Sequence, residues 1–137
     1  MPEISIANVS EFHPINSGGF GIAYIKNTIC IIQILALYFK NSNYHSYIKS
    51  HTHIDELSYI ATQIFLPLHF NLFSCFDNRQ GFTIAAHIPS SYLIYYLGNG
   101  NFIELDEKVG LLTIKKTHWN NFIILIKKKL KKCYNAF

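Results

Sequence analysis

The sequence has few of the features that mark secreted or membrane-spanning proteins. Its three cysteines, Cys30, Cys75 and Cys133, are odd in number and far apart, so they suggest neither a disulfide framework nor a paired metal knuckle. The N-terminus lacks the basic and then apolar segments of a secretory signal. The longest apolar run, residues 29–39, contains Gln33 and is much shorter than the ~20 residues of a membrane-spanning helix. These absences predict a soluble, cytoplasmic protein without a transmembrane segment.

Charged residues are also scarce, at 15% of the chain, whereas half of the 137 residues are hydrophobic and 15% are aromatic. A disordered chain needs the opposite balance, so we expect a folded core. The length suits one domain, residues 1–137. Seven of the twelve Lys and Arg residues lie between Lys115 and Lys132. The net charge of +4 therefore belongs mainly to the C-terminal end, and we expect residues 103–137 to form a basic helical tail.

Glycine is infrequent, but three of the seven glycines, Gly18, Gly19 and Gly21, lie within four positions. Glycine permits positive φ and lets a backbone approach another group closely. The alternating run 21–25, a short turn at Asn27–Thr28 and the β-branched run 29–35 follow. This pattern predicts a glycine loop between strands, followed by a tight turn and a further strand.

The rest of the chain predicts helices around one hairpin. Residues 54–66 place apolar side chains at helical spacing and end before Pro67. The runs 70–76 and 82–88 flank a turn that contains Gly81 and predict a β-hairpin. Residues 92–97 and 103–137 predict further helices. The resulting fold class is α+β: a twisted antiparallel five-stranded sheet with one packed helix, followed by a helical C-terminal segment.

The motif SGGFGIAY at residues 17–24 resembles the glycine-rich loop of the protein kinase small (N-terminal) lobe, whose backbone amides cover ATP phosphates. Residues 29–35, 69–72 and 82–88 are similar, in order, to the third strand, the entry to the fourth strand and the fifth strand of that lobe. The resemblance implies a nucleotide site, with ATP as the candidate ligand. Its residues would be Gly18, Gly19, Phe20, Gly21 and Gln33.

The departures from the kinase pattern decide what the resemblance implies about activity. Gln33 stands where a kinase has the lysine that holds the ATP phosphates. The chain has no His-Arg-Asp catalytic loop and no Asp-Phe-Gly motif, so it lacks the catalytic base and the metal-binding aspartate. The resemblance thus implies a truncated, pseudokinase-like protein that is not an enzyme. It would be a non-catalytic regulatory or decoy interaction module, with weak nucleotide binding at most and an intact kinase as one candidate partner.

Residues 34–45, 66–67 and 81–86 also resemble toxin-activating lysine acyltransferases, a GNAT-like group of similar size. In that family a Ser-x-x-His motif supplies the catalytic histidine. The resemblance implies Ser42 and His45 as the catalytic pair. The catalytic aspartate of that family has no counterpart in residues 111–116.

Two polar clusters remain. His45, His51 and His53 are close in sequence, but we see no cysteine or acid at ligand spacing, so we expect a solvated turn and no metal site. A lysine-rich stretch lies opposite an apolar stripe near the C-terminus, and a solvated helix face is its simplest interpretation. Its members are Lys127, Lys128, Lys129, Lys131 and Lys132. The alternative is a basic binding protein for an acidic partner, nucleic acid or an anionic membrane surface.

Overall fold

The computed structural model describes residues 8–41, 46–76, 83–101 and 103–135. Within these residues strands dominate, and there is one α-helix, α1 (Lys116–Asn135). The strands are β1 (Ile15–Asn16), β2 (Phe20–Ile25), β3 (Thr28–Phe39), β4 (Tyr47–Ile48), β5 (Ser50–His51), β6 (Leu57–His69), β7 (Leu72–Ser74), β8 (Ala85–Pro89), β9 (Leu93–Gly98), β10 (Ile103–Asp106) and β11 (Leu111–Ile114). Short 3-10 turns span Ile54–Glu56 and Ser90–Tyr92.

Nine of the strands form one antiparallel sheet that curls into a half-barrel. Its order is β10-β11-β7-β6-β3-β2-β9, and β4 pairs with β3 while β8 pairs with β6. The remaining strands, β1 and β5, form a separate ladder in which Ile15 lies opposite His51. The long strands β3 and β6 form the centre of the sheet.

Each face of the sheet has its own apolar core, because neighbouring residues of a strand point to opposite faces. In β3, Ile31 joins the core that includes Phe122 and Ile126 of α1. Its neighbours Cys30 and Ile32 join the core on the other face. The central strands are therefore covered on both sides.

The predicted α+β fold with a five-stranded sheet and a packed helix is wrong. Residues 54–66, predicted as that helix, form a 3-10 turn and most of β6. In β6, Ile64 belongs to one core and Phe65 to the other. A strand buried on both faces lacks the alternating apolar and polar residues of a half-exposed strand. Apolar residues four apart in residues 54–66 therefore gave the spacing that is typical of a helix. Pro67 lies within β6, next to a bulge in its pairing with β7, where a missing N–H is tolerated.

The predictions for residues 92–97 and for the first part of the tail are also wrong. Residues 93–98 form β9, which pairs with β2. Residues 103–114 contain the antiparallel pair β10 and β11, so the helical tail begins only at Lys116. Strands β7 and β8 occupy the predicted hairpin, but β8 pairs with β6 along its length. Residues 77–82, which include the predicted turn, lie outside the described part.

Two predicted features are confirmed. The strands after the glycine turn are β2 and β3. They are joined by Lys26 and Asn27, one position before the predicted turn Asn27–Thr28, and both residues have positive φ (49° and 63°) as a tight hairpin turn requires. The apolar stripe of α1 is buried at Phe122 and Ile126. Among the described residues, no helix combines the length and the apolar character needed to cross a membrane.

Candidate functional site

The glycine turn between β1 and β2 forms part of a surface cleft of about 600 Å³. This volume lies in the range of small-molecule sites. The cleft is lined by residues that include Phe12, His13, Gly18, Gly19, Tyr96 and Asn99. Of the other predicted nucleotide-binding residues, Phe20 is buried in the core beneath α1, and Gln33 lies opposite Phe20 in the β2–β3 ladder, half-buried.

The backbone amides of the glycine turn already have hydrogen-bond partners within the protein. The N–H groups of Ser17, Gly18 and Gly19 donate to backbone carbonyls over 2.7, 2.7 and 3.1 Å. The N–H of Asn16 donates to the Tyr96 hydroxyl over 3.1 Å. A phosphate cradle needs amides that point freely at the ligand. The geometry therefore gives no support to nucleotide binding at this turn, which stays a prediction.

The close approach that glycine permits is used by the protein's own side chains. A Cβ at Gly19 would overlap the Tyr96 hydroxyl, and a Cβ at Gly21 would lie 2.5 Å from Leu93 Cδ1. Gly18 is different, because a Cβ there meets nothing within 4 Å, although its φ is +90°. The sequence signalled a close approach correctly, but it could not distinguish a ligand from Tyr96.

Tyr96 connects the glycine turn, β9 and the N-terminal segment. Burial raises the pKa of its hydroxyl, an effect partly offset by the hydrogen bond from the Asn16 N–H. The Asn8 side chain forms a paired contact with the Tyr96 backbone, accepting from its N–H over 2.7 Å and donating to its carbonyl over 3.0 Å. His13 Nε2 lies 3.0 Å from the same carbonyl. One wall of the cleft is thus held by several polar contacts at a single residue.

A second, smaller cavity of about 210 Å³ lies between β9 and α1. His13, His118 and Asn121 are among its lining residues. Because sites for drug-sized ligands usually exceed about 300 Å³, we interpret this cavity as a gap beside the helix.

The outer side of α1 carries exposed positive charge. Lys127 and Lys128 are exposed and form no ion pair within the described residues. The Lys129 ammonium lies 5.5 Å from the centre of the Tyr95 ring, a cation–π distance. Lys131 and Lys132 continue the helix backbone, but their side chains lie outside the described part.

The histidine cluster includes an acid that the sequence analysis did not assign to it. His51 Nε2 lies 2.7 Å from Glu56 Oε1, and His53 Nδ1 lies 3.8 Å from the same oxygen. The expectation that no acid stands at ligand spacing is therefore wrong, because the 3-10 turn brings Glu56 back over the two histidines. The spacing His-x-His-x-x-Glu was the available signal, but Glu56 falls within residues 54–66, the segment predicted to form a helix. His45 lies outside the described residues.

The acyltransferase alternative cannot be placed in the fold, since Ser42 and His45 both lie in the undescribed residues 42–45. That catalytic pair stays a prediction.

Compared with protein-family models, curated proteins and solved structures, the chain matches none of them. Nothing in these comparisons supports the kinase or the acyltransferase resemblance, and both stay predictions. The half-barrel also differs from the five-stranded sheet that the kinase resemblance implied.

Proposed function

We propose that this protein is a non-catalytic interaction module that binds an acidic partner protein through the outer side of α1. The surface is the lysine face, defined by the exposed side chains of Lys127 and Lys128. The proposal combines the regulatory-module hypothesis with the basic-surface hypothesis drawn from the sequence.

The observation that carries the proposal is the division of α1 into two chemically different sides. Phe122 and Ile126 are buried against the sheet, whereas Lys127 and Lys128 face solvent. The helix contains no acidic residue that could pair with these lysines at helical spacing. Because no acidic residue of α1 balances these two charges, an acidic surface on a partner would be attracted to them.

The helix dipole offers a purely structural reason for lysines, but only near the C-terminal end. Its effect falls off within the last turn, and Lys127 lies two turns before Asn135. The dipole therefore accounts for lysines close to the end of α1 and leaves the lysine face unexplained.

The surroundings of the lysine face favour a protein over a membrane or nucleic acid. A membrane-surface helix inserts its apolar side into lipid, but that side of α1 is buried against the sheet. Single-stranded nucleic acid is held by exposed aromatic rings, but Trp119 is half-buried and stacks on Phe122 with 5.5 Å between ring centres. An acidic protein segment needs neither an apolar helix side nor a free aromatic ring.

An intact kinase is a candidate for the partner only through the sequence resemblance, and affinity capture with a purified kinase would test it. We also propose a cytoplasmic location. Cys30 and Cys75 are buried free thiols, which suits a reducing compartment.

The test is binding of a fluorescent oligoglutamate peptide, followed by anisotropy. We expect the Lys127→Glu/Lys128→Glu variant to bind about tenfold more weakly, because exposed ion pairs contribute up to about 1 kcal/mol each. The matched control is Lys49→Glu/Lys108→Glu, which changes the net charge equally at exposed positions elsewhere. The control should bind within about twofold of the wild type, with circular dichroism unchanged in both variants.

An equal loss in both variants would mean that the peptide senses only net charge and would reject the lysine face. Tighter binding of a single-stranded DNA oligonucleotide than of the peptide, at the same salt concentration, would replace the acidic protein with nucleic acid.

A further inference from the structure

We propose that His51, His53 and Glu56 form a binding site for a transition-metal dication, with Zn²⁺ as the first candidate. The site spans the end of β5 and the 3-10 turn before β6, and it is independent of the lysine face on α1. It comprises two imidazoles and one carboxylate, a donor set that zinc accepts in proteins.

The three side chains converge closely enough for one ion. Their candidate ligand atoms all lie within 4.8 Å of one another. In tetrahedral zinc, with bonds of about 2.0–2.2 Å, ligand atoms are about 3.3 Å apart. The His51–Glu56 distance of 2.7 Å would have to open slightly, and the His53–Glu56 distance of 3.8 Å would have to close by a similar amount. The two histidine nitrogens, within 4.8 Å of each other, must reach the same spacing, and rotation of the exposed His53 and Glu56 side chains can supply these adjustments.

The backbone beneath the cluster is held in place before any ion binds. His51 lies in the β1–β5 ladder, opposite Ile15. The carbonyl of Glu56 accepts a hydrogen bond from the Lys40 N–H over 3.0 Å. Ile54, within the same 3-10 turn, is buried in the core. The ligands therefore start from a fixed spacing, which reduces the entropy lost on binding.

One ligand is sheltered and two are open to solvent. The side chain of His51 is 18% exposed and packs edge-on against Phe39, with 4.9 Å between ring centres. His53 and Glu56 are 59% and 56% exposed. This arrangement supplies three protein ligands and leaves a fourth position to water. Imidazole and carboxylate together suit Zn²⁺ or Ni²⁺ better than Ca²⁺ or Mg²⁺, which prefer oxygen ligands.

Two existing contacts of the cluster would compete with a bound ion. Glu56 already pairs with His51, so a plain surface ion pair is the alternative explanation of the cluster. The Thr52 hydroxyl lies 2.9 Å from His53 Nδ1 and would be displaced if zinc bound that nitrogen. An exposed ion pair contributes little to stability, so the two explanations differ in what added metal should do.

The test is a calorimetric titration of the full chain with ZnCl₂ alone, together with melting curves with and without zinc. We expect one equivalent of zinc and a raised Tm, because an ion that binds only the folded state stabilises it. Glu56→Gln retains a hydrogen-bonding side chain beside His51 but loses the anionic ligand, so its zinc affinity should fall about 100-fold with the metal-free Tm unchanged. His53→Ala should give the same loss of zinc affinity because it removes another of the three ligands. Its metal-free fold should be unchanged, since His53 is exposed.

The matched control is His69→Ala, which removes an exposed histidine outside the cluster. It should bind zinc as the wild type does. In the wild type, Co²⁺ added instead of zinc should give the visible absorption bands of a tetrahedral site. Wild-type zinc affinity in both Glu56→Gln and His53→Ala would overturn the proposal. A loss of affinity in His69→Ala equal to that in the cluster variants would show adventitious histidine binding and would also overturn it.

Discussion

Adding one methyl group at Gly19 tests why the glycine turn exists. In Gly19→Ala the new Cβ would overlap the Tyr96 hydroxyl and lie 2.8 Å from Tyr96 Cζ. Gly19 is not among the positive-φ residues, so the cost comes from this contact alone. Tyr96 is only 2% exposed. A shift of its ring away from the new Cβ would stretch the hydrogen bond that the Tyr96 hydroxyl accepts from the Asn16 N–H.

The magnitude follows from two contributions. Overpacking a buried site costs about 1–3 kcal/mol, and a displaced hydroxyl loses a hydrogen bond of about 1 kcal/mol. We therefore expect Gly19→Ala to lower the free energy of unfolding by about 2–4 kcal/mol. Tyr96→Phe alone should cost about 1 kcal/mol. In the double variant the worst overlap is gone, so its cost should be smaller than the sum of the single costs by about 1 kcal/mol.

Equilibrium unfolding in urea measures all three variants. Gly18→Ala is the matched control, because it adds the same methyl group one residue earlier, where a Cβ has no neighbour within 4 Å and φ is +90°. Its cost of about 1–2 kcal/mol should come from backbone strain and should add simply to that of Tyr96→Phe. Additive costs for Gly19→Ala and Tyr96→Phe would refute the packing explanation. If Gly19→Ala leaves the free energy of unfolding unchanged, packing against Tyr96 does not explain Gly19, and binding of a ligand at the turn becomes the better explanation.

Two further predictions concern the cores. Burial raises the pKa of the Cys30 thiol from 9.0 to about 11. The folded state therefore holds the proton more tightly than the unfolded state, which contributes about 2–3 kcal/mol to the free energy of unfolding. This contribution is complete below pH 9.0 and is lost as the pH rises towards about 11. Urea unfolding across this range should show a shallower decline in Cys30→Ala, and an unchanged decline would contradict the assignment. Phe122→Ala should cost about 3–5 kcal/mol because it empties the contact between α1 and the sheet. The control Ile124→Ala, at a position 63% exposed, should change the free energy of unfolding by less than about 0.5 kcal/mol. Equal losses of stability in Phe122→Ala and Ile124→Ala would mean that α1 does not pack through its apolar stripe.

The sequence was informative wherever one local pattern determined the structure. The hairpin of β2 and β3 follows from β-branched runs around a short turn, and α1 follows from apolar residues four apart with lysines between them. The pair β10 and β11 also had a local signal that we misinterpreted. Ile103 and Leu105 alternate with the exposed Glu104 and Asp106, which is the period of a strand, but these residues were included in the predicted helical tail 103–137.

The remaining features depend on contacts between distant parts of the chain. Whether Ile60 belongs to a helix or to a strand is decided by β3 and β8 on either side of it. The partner of Gly19 is Tyr96, 77 positions later in the chain. Glu56 joins His51 and His53 only because residues 54–56 form a tight 3-10 turn instead of opening a helix. Periodicity carries none of this information, since it reports only which side chains share a face.

The central strands have a consequence for how the molecule comes apart. Ile31 and Phe65 serve one core, while Ile32 and Ile64 serve the other, and all four lie on the paired strands β3 and β6. Neither core can open without disturbing the backbone ladder on which the other is built. Amide protons of β3 and β6 should therefore exchange with solvent only through global unfolding, whichever core is weakened. The short strands β4 and β5, each paired with one other strand over two residues, should exchange earlier.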